Sequence, residues 1–98
     1  MAEIVLKKTQ EYKAISVVKR AIDTELERLG YARELILSNL ALFENQYQIS
    51  SKQFMEALTL EKSEGKYAED VEWAGQYQAL VELDEDIDIL KNIDYVIS

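Results

Sequence analysis

The chain has 98 residues, 48% of them hydrophobic and 31% charged, with a formal net charge of -8. That length limits it to a single domain, residues 1–98, and the balance lies far from that of chains that stay disordered. The absence of His removes the usual proton-transfer and transition-metal side chain, and the absence of Cys removes thiolate chemistry and disulfides.

No catalytic, cofactor-binding or metal-binding set is therefore expected, and the chain reads as non-enzymatic and free of cofactors. No run approaches the ~20 apolar residues that span a bilayer, and the apolar stretch of MAEIVLKKTQ is too short for a signal peptide, so a cytoplasmic location is expected. With no Pro and three Gly (Gly30, Gly65, Gly75), the turn chemistry of a many-stranded sheet is missing and helices are the default.

Residues 1–9 come first. Glu3 to Lys8 (EIVLKK) reads either as a short extended arm or as the frayed start of a helix, because the period cannot decide over so few residues. From Tyr12 the apolar positions Ile15, Val18, Ile22, Leu26, Leu29, Ile36, Leu40, Phe43 and Tyr47 follow at steps of three, four or seven. That is one amphipathic helix over 10–47 with Thr9 as its N-cap, ~55 Å long at ~1.5 Å per residue. Lys19, Asp23, Glu27, Arg33 and Glu34 are expected on its solvated face. Gly30, inside it, reads either as a tolerated weak point or as a place where a neighbouring backbone comes close, helped by Ala32.

Ser50-Ser51-Lys52-Gln53 has the form of a capping box and opens a short helix over 51–62, with Phe54, Met55, Leu58 and Leu60 as its apolar positions. Ser63-Glu64-Gly65-Lys66 is expected to close it. A third helix is expected over 70–97, started by Glu69 and Asp70 at the positive end of its dipole and carrying Trp73, Tyr77, Leu80, Leu83, Ile87, Leu90 and Ile97. Trp73 and Tyr77 are expected to be its core anchors.

These elements predict an all-α fold: a long antiparallel helical hairpin (10–47 and 70–97) with a short helix at the elbow, completed by dimerisation into a helical bundle. The first helix outruns the third, so the stripe around Val18, Ile22, Leu26 and Leu29 is expected to stay uncovered and to carry association.

Charge is divided unevenly. Residues 1–49 hold seven Lys/Arg and seven Asp/Glu, and residues 50–98 hold four and twelve, so the whole acidic excess lies in the second half. The first twenty residues carry Lys7, Lys8, Lys13, Lys19 and Arg20 against Glu3 and Glu11. Glu82, Asp84, Glu85, Asp86 and Asp88 form a candidate acidic docking face for a basic partner. Asp84, Asp86 and Asp88 have the spacing of a calcium loop, but the Gly and the later bidentate Glu of such a loop are absent. Sequence-independent nucleic-acid binding is disfavoured for so acidic a chain, except through the basic N-terminal segment.

Phe43-Glu44-x-x-Tyr47-x-Ile49-Ser50-Ser51-x-x-Phe54, followed by Glu72-Trp73-Ala74, resembles a group of small helical prokaryotic proteins with a long first helix, a Y-x-x-S-x-x-F elbow and an E-W-A helix start. The resemblance covers about residues 26–90. It implies the antitoxin of a two-gene toxin–antitoxin pair, and it matches Tyr47, Ser50, Ser51, Phe54 and Trp73. The chain departs from the group at Gln48, where its members favour Gly.

Taken together, a dimeric protein-interaction module with a basic protein partner such as a toxin is expected. The alternatives are a small regulator touching DNA through the basic N-terminal segment and a purely structural helical oligomer.

Overall fold

The computed structural model of the chain describes residues 3–6, 11–60 and 68–97. In chain order these form β1 (Glu3–Leu6), α1 (Glu11–Tyr47), α2 (Ser51–Leu60), α3 (Ala68–Lys91) and β2 (Asp94–Ile97). Helix dominates, as the periodicity predicts, and α1 gives the molecule its elongated shape of 57 × 23 × 18 Å. Thr9, Lys7, Lys8 and the Ser63–Lys66 closure lie outside the described residues.

The apolar stripe gives α1 one buried face, and no Pro interrupts it over 37 residues. It ends at Gln48, which takes a left-handed conformation with φ of 57°. There the Gln48 amide donates to the Glu44 carbonyl at 2.8 Å, and the Gln48 side-chain amide donates to the Asn45 carbonyl at 2.6 Å. This is the cap geometry for which Gly is favoured, so a Cβ at this position carries strain.

Ser50 then caps α2. Its hydroxyl accepts from the Gln53 amide at 3.1 Å while its own amide donates to Gln53 Oε1 at 3.1 Å, which is the reciprocal box that the motif predicts. The amide of Ser51 donates to Glu44 Oε2 at 2.7 Å, bringing a carboxylate to the positive end of α2.

Going back along α1 from the elbow, α3 is tied to it by three side-chain contacts. The Tyr47 hydroxyl donates to Glu69, Asn39 Nδ2 donates to Gln76 Oε1 at 3.3 Å, and Arg33 Nε donates to Asp84 Oδ1 at 2.6 Å. Leu40, Phe54 and Trp73, one residue from each helix, are the buried centre, with Ile36, Phe43, Met55, Leu58, Tyr77 and Leu80 packed around them.

Two expectations need correction, and two open alternatives are decided. The third helix does not run to Ile97 but stops at Lys91. Asn92 turns its side chain back, donating to the Asp88 carbonyl at 2.7 Å and to Asp88 Oδ1 at 3.1 Å, and its amide reaches Ile89 O at 3.2 Å in a tightened last turn.

Beyond it Asp94–Ile97 is extended and pairs in parallel with Glu3–Leu6, setting Ile4 beside Tyr95 and Val5 beside Val96. A short two-stranded sheet thus joins the two ends of an otherwise helical chain, and the extended alternative for residues 3–6 is the observed one. Gly30 has nothing within 4 Å of where a Cβ would stand, so no backbone approaches it. Arg33, expected on the solvated face, instead reaches across to α3.

Replacing Gln48 by Gly removes the Cβ from a left-handed residue. We expect Gln48→Gly to raise the unfolding free energy by about 0.5–1 kcal/mol in urea melts. A loss of stability would show that the Gln48–Asn45 bond outweighs the backbone strain.

Candidate interaction surfaces

The residues that the family resemblance singles out come together at the elbow. Trp73 is 2% exposed, and its ring lies between three others: Phe54 at 3.9 Å between centroids, Phe43 at 5.3 Å and Tyr47 at 5.6 Å, all close to parallel. The indole Nε1–H donates to Ser51 Oγ at 2.8 Å, so the one polar atom of the ring is satisfied inside the core. Tyr47 closes the outer side of the stack. Its hydroxyl bond to Glu69, with desolvation and the charges of Glu69 and Asp70, raises the phenol above its ordinary value. Ser50, by contrast, caps α2 at the surface. The cluster joins three helices and leaves no opening for a ligand between the rings, so it is a core rather than a binding cage.

The stripe expected to be open is partly covered by the chain itself. Leu29 is only 5% exposed, and Val18, Ile22 and Leu26 are half-buried. Leu26 and Leu29 lie alongside α3, sharing surface hollows with Ile87 and with Ile89 and Leu90. Towards the start of α1 the unexpected sheet contributes: β1 packs on α1, and Tyr95 of β2 lies with its ring 5.6 Å from Lys19 Nζ.

The acidic residues of α3 separate into two groups. Asp84 turns inward to Arg33, whereas Glu82, Glu85, Asp86 and Asp88 are exposed. Asp88 accepts from Asn92, and no Lys or Arg among the described residues pairs with the other three. Because the helix continues through Asp84–Asp88, Asp84 and Asp88 share a face while Asp86 points away from them, so the three carboxylates do not converge as in a calcium loop. No group of three or more metal-ligating side chains converges among the described residues. No described helix is long and apolar enough to cross a membrane.

Two exposed features escaped the sequence reading. Tyr31, Leu35 and Leu42 stand in solvent on the face of α1 turned away from α3, and Val71 and Ile89 stand in solvent on α3. The α1 group repeats at four and seven, a spacing visible in the sequence but outweighed by the stronger stripe on the opposite face. On the basic segment, Lys13, Lys19 and Arg20 are exposed.

No protein-family model, curated protein or solved structure matches the chain.

Removing the hydroxyl that accepts the indole N–H hydrogen bond leaves a buried donor unpaired. Ser51→Ala should cost about 1–3 kcal/mol in denaturant melts followed by Trp73 fluorescence. An unchanged midpoint would mean that the indole finds another acceptor.

Proposed function

We propose that the chain is a non-enzymatic, cytoplasmic protein-interaction module that works as a dimer and docks a basic partner protein on the outer face of α3. The observation that carries this reading is the strip of Glu82, Glu85 and Asp86, exposed at helical spacing and unpaired by any cation of the described chain. Ile89 lies at the next step along the same face and Val71 near its other end, both exposed. An acidic centre with apolar flanks suits a helix or loop that presents Lys or Arg beside aliphatic side chains. The charges steer encounter and reject acidic competitors, and the apolar flanks contribute burial.

The resemblance of the elbow and of the Glu72-Trp73-Ala74 helix start to antitoxin-type proteins makes a toxin the favoured partner. In that role the rigid elbow holds α3 in fixed register against α1, so the acidic strip is presented preformed rather than ordered on binding.

The test is binding between the full chain and the protein encoded by its neighbouring gene. Reversing Glu82, Glu85 and Asp86 to Lys should weaken binding by about tenfold or more with the helical content unchanged. Rising salt should weaken the wild-type complex but not the residual binding of the variant. A basic partner held equally well by the charge-reversed chain would overturn the reading.

A further inference from the structure

The face of α1 opposite the core carries a second seam. Arg28, Tyr31, Leu35, Ser38, Leu42 and Asn45 follow one another at alternating steps of three and four, and all six are exposed. Tyr31, Leu35 and Leu42 stand open at 66%, 64% and 71%. Alternating three and four is the spacing of a helix that packs on another helix, whereas a solvated face is interrupted by charge. Along its second half charge is missing: none of the nine residues from Leu35 to Phe43 is charged in a chain where 31% are. The three large side chains expose on the order of 400 Å² together, the size of the largest apolar patch on a typical monomer, which is often a functional one.

We infer that two copies of the chain pair antiparallel through this stripe. The inference rests on the dimeric part of the proposal above and involves a different surface from the acidic strip of α3.

Charge favours a second copy as occupant. Each copy carries a net charge of -8, and two such chains approach with least repulsion where few charges face each other, as along the uncharged run from Leu35 to Phe43, with Arg28 at the end of the stripe paired to Glu25 of its own helix. A strongly basic partner gains nothing here and is drawn to α3 instead.

The order of residues selects the geometry. Read from either end, the stripe runs polar, large apolar, central pair, large apolar, polar. A two-fold contact sets each residue i against j and j against i, so this order puts like kinds of side chain opposite one another when the helices run antiparallel. Antiparallel pairing sets Tyr31 against the partner copy's Leu42, Leu35 against its Ser38 and Arg28 against its Asn45, filling the space beside the small Ser with Leu. Parallel pairing would oppose Arg28 to Arg28 and leave Ser38 facing Ser38 across a gap. With both copies counted, the three side chains bring about 800 Å² to the contact, below the range of stable specific interfaces, so a weak, concentration-dependent dimer follows.

The experiment uses the full chain in a concentration series by sedimentation, with the Leu35→Glu/Leu42→Glu variant beside it. The wild type should reach twice the monomer mass, and the variant should associate at least about tenfold more weakly with its helical content unchanged. Orientation is read by disulfide trapping, since the chain has no Cys of its own. A mixture of Arg28→Cys and Asn45→Cys chains should cross-link on oxidation, and Arg28→Cys alone should not.

A wild type that stays monomeric, a variant that dimerises as well as the wild type, or cross-linking by Arg28→Cys alone would each overturn the inference. If the Glu variant unfolds, the cross-linking pattern decides. A monomeric wild type whose basic partner is still lost on reversing Glu82, Glu85 and Asp86 would remove this inference and the dimer while leaving the docking strip standing.

Discussion

The buried indole of Trp73 is the constraint from which the rest of the arrangement follows. All three helices contribute to burying it: Phe43 and Tyr47 of α1 and Phe54 of α2 stack on it while Ser51 Oγ accepts the hydrogen bond of its N–H. The hydrogen bond fixes the ring's direction, and the stack fixes its depth. Glu44 completes the joint by accepting from the Ser51 amide. With Trp73 held in place, α3 has no freedom to slide along α1. The pairs Tyr47–Glu69, Asn39–Gln76 and Arg33–Asp84 have residue numbers adding to 116, 115 and 117, a single register kept from the elbow to the middle of α1.

That register has a consequence for the far end. Continued at the same offset, Lys91 falls beside residue 25 of α1, and α3 stops there, leaving the first turns of α1 without a helical neighbour. The chain covers part of this overhang with its two ends, pairing Glu3–Leu6 with Asp94–Ile97. The pairing is short, and it sets Glu3 beside Asp94, two like charges at one end of the ladder. The two ends of the molecule therefore differ in kind: an elbow held by aromatic stacking and satisfied polar groups, and a far end held by four residue pairs of parallel sheet. Surface charge divides along different lines, with the acidic excess outward on α3 and a neutral stripe on the back of α1, so the two surfaces suit different occupants.

Much of this was legible in the sequence because it is local. The 3.6-residue stripe defined α1 to within a residue, the capping box placed the start of α2, and the only Trp stood at a position of the third stripe where a core anchor is wanted. What could not be read was non-local. Residues 92–97 continue an apolar pattern, and only the partner strand at residues 3–6, some 90 positions away, makes extended backbone the better solution for Asp94–Ile97. The same pairing brings β1 and Tyr95 onto the start of α1, whereas Leu26 and Leu29 lie beside the last turns of α3. Asp84 and Arg33 were each read as solvated because opposite charges on separate helices declare themselves a pair only once the register is known. Tyr31, Leu35 and Leu42 were hidden for a different reason: a helix with two apolar seams shows the stronger one first.

Native-state hydrogen exchange, followed amide by amide, tests the central claim most directly. If the Trp73 cluster organises the fold, the slowest amides lie around Leu40, Phe54 and Trp73, and those of Glu3–Leu6 and Asp94–Ile97 open first and independently. Slowest exchange in the strand pair, or equal protection along the whole of α1, would contradict it.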